Sequence, residues 1–225
     1  GAATAELLAA AGAKLLLSAR DADALEALRE RLGPGHETLP WDVTVPVAQQ
    51  KPPDPGSLDG LLYCAGDYEP MDAASFDPVR AERIVAVNLT GLFGVTAHLL
   101  PAWRERRRGH FAVVGSIAGH RALPRSLAYG ASKAGLEYFT ESLALEVAAQ
   151  GICVQLARPG FVRTRLTAKN DFAMPFIIEP GAAAARLVAG MAGSSFRIDF
   201  PRRLTWPLRL AALLPHWLYR RLLRG

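Results

Sequence analysis

The sequence predicts an α/β domain built on a doubly wound parallel sheet. Short apolar runs alternate with stretches of helical periodicity, the signature of strand–helix–strand units. The apolar runs are continuous rather than alternating, as in strands covered on both faces. A chain of 225 residues, half of them apolar, suits one such domain.

Residues 2–11 form an alanine- and leucine-rich helix stopped by Gly12. Residues 14–18 read as a buried strand, and 23–32 as a helix with Leu25, Leu28 and Leu32 on one face, ended by Gly33-Pro34-Gly35. A brief strand, 37–41, leads into Asp42-Val43. The segment 45–57 holds four prolines, so its crossover is degenerate. Strands follow at 58–64, 111–115, 152–157 and 197–200. Helices follow at 78–107, broken by Pro101, at 129–150 and at 180–192. Right-handed crossovers bring the C-terminal end of every strand to one edge, where ligands bind. The organisation expected is a single domain over 1–200 and a tail over 201–225.

Charge narrows the partners. The net charge is +5, but residues 196–225 carry seven arginines against one acid, Asp199, a surplus larger than that of the whole chain. The body is therefore close to neutral, which argues against nucleic acid. No apolar run reaches the roughly 18 uninterrupted residues of a bilayer span. The opening residues carry no secretion pattern. Cys64 and Cys153 read as buried free thiols of a reducing compartment, and the chain as cytoplasmic. The histidines and cysteines show no metal-ligand spacing, and His98 on its leucine-rich helix reads as structural.

Tyr129-Gly-Ala-Ser-Lys133 carries the chemistry. Four residues apart on a helix, the phenol and the ammonium share a face. A phenol ionises near pH 10, and a neighbouring cation lowers that value toward useful proton transfer. Ser116, thirteen residues earlier, follows a strand at the ligand edge, where its hydroxyl can hold a carbonyl oxygen against Tyr129. Chance alone gives this triple in fewer than about one chain in a hundred.

With these motifs the sequence resembles the short-chain dehydrogenase/reductase family, from Gly1 to about Ala192. The resemblance implies a Rossmann-type fold, a catalytic set of Ser116, Tyr129, Lys133 and Asn88, and a nicotinamide cofactor. Asn88, in Val87-Asn88-Leu89-Thr90-Gly91, matches the residue that anchors the water of the proton relay. Tyr63-Cys64-Ala65-Gly66 stands where the family has Asn-Asn-Ala-Gly, with Ala65 and Gly66 still permitting close approach to the cofactor. Asp42-Val43 matches the pair that contacts adenine. The loop Pro159-Gly160-Phe161-Val162-Arg163-Thr164 is similar to the one that holds the carboxamide, through Pro159, Gly160, Val162 and Thr164. Gly1 matches the last glycine of the phosphate loop, so the first strand and most of that loop are expected to be absent, leaving a gap at the centre of the sheet. The family also implies a homodimer or homotetramer formed by the helices near Asn88 and Tyr129.

The second strand ends Ser18-Ala19-Arg20. Ala19 stands where NAD binders place an acid, and the Arg20 guanidinium suits a 2′-phosphate, so NADP is favoured. Asp21 is the one acid placed to weaken that preference. His120 and Arg121 border the pocket expected after Ser116. Phe172, Met174 and Phe176, in the segment resembling the family's substrate lid, point to an apolar substrate.

The reaction expected is interconversion of a carbonyl and an alcohol on a small molecule. A catalytically silent, cofactor-sensing or membrane-peripheral scaffold is the competing reading. In the tail, Pro207 and Pro215 each suit a helix's first position, predicting two short amphipathic helices. Arginine opposite tryptophan and leucine fits a membrane surface, and equally a second subunit or a roof over the pocket.

Overall fold

The computed structural model describes residues 1–223; Arg224, counted in the basic tail, and Gly225 lie outside the described residues. The chain runs α1 (Ala2–Ala10), β1 (Leu16–Ala19), α2 (Ala22–Leu32), β2 (Glu37–Pro40), β3 (Gly60–Tyr63), α3 (Pro78–Val85) and α4 (Gly91–Glu105). It continues through β4 (Gly109–Val114), α5 (Leu127–Val147), β5 (Ile152–Pro159), α6 (Pro180–Met191), β6 (Arg197–Phe200), α7 (Arg202–Ala212) and α8 (His216–Leu222).

All strand pairs are parallel. They form a two-stranded sheet, β1–β2, and a four-stranded sheet in the order β3–β4–β5–β6. The break falls between β1 and β3, where the sequence reading expects a gap. Helix α1 packs against both α2 and α6, tying together the helices that serve the two sheets.

Two packing solutions explain why these residues choose these elements. Leu99 and Trp103 from α4, Leu143 and Val147 from α5, and Phe111, Ile152 and Val154 from the strands fill one face of the four-stranded sheet. Ala157, Leu187, Ile198 and Phe200 fill the other with α6. The strands are thus buried on both sides, which is why they read as continuous apolar runs.

Several expectations are corrected. Pro101 does not break its helix, which continues to Glu105. Leu99 and Trp103, either side of it, are fully buried. At about 2–3 kcal/mol each, their burial outweighs the ~3 kcal/mol cost of an interior proline. The departure from α geometry lies earlier, at Ala86–Thr90, which winds as a π-helix. The rod Pro78–Glu105, 28 residues reaching a mean hydropathy of 1.6, is long and apolar enough to cross a bilayer. Its inward face, from Ile84 to Trp103, is instead consumed by the core. Cys64 and Cys153 are exposed, not buried. Cys153 precedes the stretch of β5 that β6 covers, which begins at Leu156.

In the tail, Pro207 lies inside α7, and Pro215 caps α8 one position before its first turn. Helix α7 begins early because the Pro201 carbonyl accepts from Leu204 and Thr205, whose side chains are both buried. His98 is structural, as read: its Nε2 donates to the Pro53 carbonyl at 2.8 Å.

Candidate active site

Strand β4 delivers Ser116 to the sheet edge. Its Oγ accepts from the Ala118 amide at 3.1 Å, capping the short turn Ile117–Gly119 and leaving the hydroxyl proton free to donate. That turn lies directly on α5. A Cβ at Gly119 would stand 2.7 Å from the Lys133 carbonyl carbon and oxygen, so only glycine permits the approach. The turn sets the Ser116 hydroxyl where it pulls the pKa of the Tyr129 phenol down.

Lys133, one turn on, is buried, and its Nζ donates to the Val114 carbonyl at 2.9 Å. It lies 5.9 Å from the centroid of the Tyr129 ring. Burial lowers its pKa to about 8, with the nearby Cys64 sulfur pulling the other way. Burial also raises the Tyr129 phenol above its ordinary value, opposed by the Ser116 hydroxyl. The end of β4 thus captures the ammonium, and on the phenol the upward pull of burial outweighs the downward pull of Ser116.

Asn88 sits in the π-helical turn, fully buried. Its Oδ1 accepts from the Asp67 amide at 2.7 Å, and its Nδ2 donates to the Asp67 carbonyl at 3.0 Å and to Ser132 Oγ at 2.8 Å. Ser132 Oγ in turn donates to the Tyr129 carbonyl at 2.8 Å. One amide therefore joins the loop after β3, the α3–α4 rod and the Tyr129 turn of α5.

The residues expected to hold a cofactor fall into two groups. The first lines the strand ends. Gly1 caps α1 without a side-chain acceptor, so the amides of Ala2 and Ala3 remain available to an anion. It lies beside Cys64 at the head of the Ala65-Gly66 turn, and Gly66 in turn packs against Asn88. Asp42 accepts from the Thr44 amide and hydroxyl at 2.9 and 2.7 Å. Burial pushes its carboxyl up, but the Thr44 bonds and the cations of Arg20 and Arg83 outweigh this and hold it low. Val43 packs beneath Gly91. An uncapped helix start, a glycine turn and a cation at the strand edge fit a dinucleotide.

The second group lies beyond β5. Pro159 pairs with Phe200, and the Gly160 amide donates to the Phe200 carbonyl at 2.8 Å. Val162 bridges to Ile178, and the Thr164 amide donates to Thr167 at 2.9 Å. These last two are held within their own loop, with no hydrogen bond to Ser116 or Tyr129 among the described residues.

Two contributors, Tyr68 and Arg158, were not anticipated from the sequence, and Arg121, expected at the pocket's border, turns to the tail. Tyr68 meets the Tyr129 ring edge-on at 4.8 Å and donates to Asn170 at 2.6 Å, pinning the start of the 170–176 segment over the phenol. Its signal was position alone, two residues past the Ala65-Gly66 turn at the ligand edge. Arg121 donates to the carbonyls of Ala211, Ala212 and Leu214 and stacks 4.1 Å over Tyr219, clasping the tail. Arg158, buried, is gripped by Asp199 at 2.7 Å through both Nε and Nη2 and by Glu137 at 2.8 Å. His120 stands 3.8 Å from the same Glu137. Burial and the Arg158 charge lower the His120 pKa, against the opposing pull of Glu137.

The family model for short chain dehydrogenase matches residues 1–174. An uncharacterized oxidoreductase of Myxococcus xanthus is 34% identical over 220 residues, which span 94% of this chain and 87% of that one. The 3-oxoacyl-(acyl-carrier-protein) reductase FabG of Escherichia coli is 32% identical over 74% of this chain and 70% of its own. A short-chain dehydrogenase from Sphingobium yanoikuyae, solved in complex with NADPH, superposes with a TM-score of 0.82 at 25% identity, covering all of this chain and 91% of that one. The chain belongs to the short-chain dehydrogenase/reductase family. It is an oxidoreductase of that family, with its Rossmann-like fold and a nicotinamide cofactor.

The buried lysine has a measurable signature. Between about pH 8 and 10.5 the unfolded chain retains a proton that folded Lys133 has released. Stability from this site therefore rises with pH across that window, by up to about 1.4 kcal/mol per pH unit. Urea titrations at several pH values should show wild type gaining on Lys133→Met as pH rises from 8 to 10.5. A constant difference between the two proteins would show that the ammonium is not buried as described.

Proposed function

We propose that the protein is an NADPH-dependent carbonyl reductase acting on an apolar substrate. The observation that carries this is the Ser116–Tyr129 pair, a serine hydroxyl at the end of β4 acting on the phenol that α5 presents beside Lys133. A phenol whose pKa is raised by burial stays protonated at neutral pH, which equips it to donate rather than accept.

The cofactor, when bound, supplies the hydride. Ser116 orients and polarises the carbonyl oxygen, and Tyr129 passes its phenolic proton to that oxygen as negative charge develops there. Lys133, its ammonium held by the Val114 carbonyl beside the Tyr129 ring, would hold the nicotinamide ribose. Asn88 holds the turn that carries Tyr129 and would maintain the relay that returns the proton.

NADP is the favoured cofactor because Arg20 follows a strand that ends in Ala19, not in an acid. The acid that could weaken this, Asp21, is engaged otherwise: its carboxylate caps α2 by accepting from the Ala24 amide at 2.9 Å. The NADPH complex of the Sphingobium relative supports the same reading. For the substrate, Phe161 packs edge-on against Phe172, and Phe172 and Phe176 expose apolar surface in the loop beyond β5. We assign 1–200 to the catalytic domain and 201–225 to an appended tail. Exposed Phe93, Tyr138 and Leu145 on α4 and α5, and an apolar groove of about 490 Å³ lined by Phe76, Val85 and Leu127, support a homodimer or homotetramer. Light scattering checks it: a monomeric mass refutes the assignment.

Tyr129→Phe should lose at least about a thousandfold in kcat for carbonyl reduction, at the level of lost acid catalysis, with NADPH binding by fluorescence little changed. Near-normal turnover in that variant would remove the proton-donor role and leave the silent scaffold standing. Arg20→Ala should raise KM for NADPH about tenfold or more while leaving KM for NADH nearly unchanged. Equal effects on both cofactors would show that Arg20 does not read the 2′-phosphate.

A further inference from the structure

The tail does not take part in the chemistry above, and its two faces differ sharply. One is docked on the body. Leu204, Thr205 and Tyr219 are buried, the Tyr219 hydroxyl donates to the Ala122 carbonyl at 2.8 Å, and Leu204 occupies the space a Cβ on Gly160 would need. Arg209 reaches back to Asp199 at 3.2 Å.

The other face carries Trp206, Leu210, Leu213 and Trp217, exposed by 59, 63, 82 and 68%. Trp206 and Leu210 lie one turn apart on α7, Leu213 follows its end and Trp217 lies in the first turn of α8, so both tail helices carry exposed apolar side chains. Arg202, Arg203, Arg220 and Arg221 flank them at either end, exposed and with no acid in ion-pair contact among the described residues.

We propose that this face seats the protein on an anionic lipid surface. Tryptophan and leucine bury their apolar bodies at the headgroup boundary, and the arginines meet lipid phosphates. Charge decides against a second copy of the chain as the occupant. A two-fold contact would bring the same four arginines against themselves with no acid to neutralise them. The exposed apolar side chains take no part in the docked contacts that Leu204, Thr205 and Tyr219 make with the body. The proposal does not depend on the enzymatic reading, because binding is measured without turnover.

The test is sedimentation of the full chain with vesicles of phosphatidylcholine alone, and with an equal mixture of phosphatidylcholine and phosphatidylglycerol. The protein should pellet with the mixture, remain soluble with neutral vesicles, and be released by high salt. Replacing the four arginines together (R202Q, R203Q, R220Q, R221Q) should weaken partitioning by about fivefold per charge removed. Trp206→Ala with Trp217→Ala should abolish pelleting without lowering the melting temperature, since both side chains are solvent-exposed. Trp41 and Trp103 are buried in the body, so a blue shift of emission on vesicle addition reports the tail pair. Equal pelleting on both vesicle types, or undiminished binding by the tryptophan variant, overturns the proposal. A fall in oligomeric mass of that variant without vesicles also overturns it, by giving these side chains to a second subunit.

Discussion

The arrangement rests on one buried side-chain amide. Asn88 contributes three hydrogen bonds from a position with no solvent to substitute for them. Each such bond contributes only about 1 kcal/mol net, but a partner left unpaired inside the protein costs about 1–3 kcal/mol. Losing the amide would strand the Asp67 amide and carbonyl together with Ser132. The loop after β3 would then be held at α5 through the Met71 pairing with Arg125 and Leu127, away from Tyr68, whose ring borders the phenol. The π-helical turn that presents Asn88 places one extra residue in the helix, the kind of irregularity that persists where a site needs it.

Electrostatics organise the opposite side of the strand edge. Arg158 is almost wholly buried and would be costly without partners, so Asp199 and Glu137 neutralise it through a bidentate and a single contact. Asp199 also receives Arg209 from α7. The cluster therefore connects β5, β6, α5 and the tail, immediately before the Pro159-Gly160 turn. It offers little net stabilisation against an apolar filling. What it does fix is the register of the strand end from which the Pro159–Thr164 loop departs.

Much of this was legible in the sequence, for identifiable reasons. Strands covered on both faces leave continuous apolar runs, and a four-residue spacing on a helix leaves little doubt that Tyr129 and Lys133 share a face. Local rules failed where distant groups compete. The prolines at 101 and 207 signal helix boundaries locally, yet buried Trp103, Leu204 and Thr205 hold the helices through them. Cys64 and Cys153 sit in apolar runs, but what covers a strand is decided by neighbours that the run does not contain. Lys133 was read against Tyr129 because they are close in sequence. Its actual acceptor, the Val114 carbonyl, is nineteen residues away. The Arg158 cluster joins residues 21 and 41 positions apart, for which no spacing rule exists.

Arg121 belongs to the loop that follows Ser116, and it clasps both the carbonyl end of α7 and the ring of Tyr219 in α8. The segment that aims the serine and the segment that ends the chain thus share one fastening. Linkage between two sites is reciprocal. Whatever steadies the loop from within the pocket also steadies the tail, and whatever grips the tail from outside is felt, through a single guanidinium, where the carbonyl would lie.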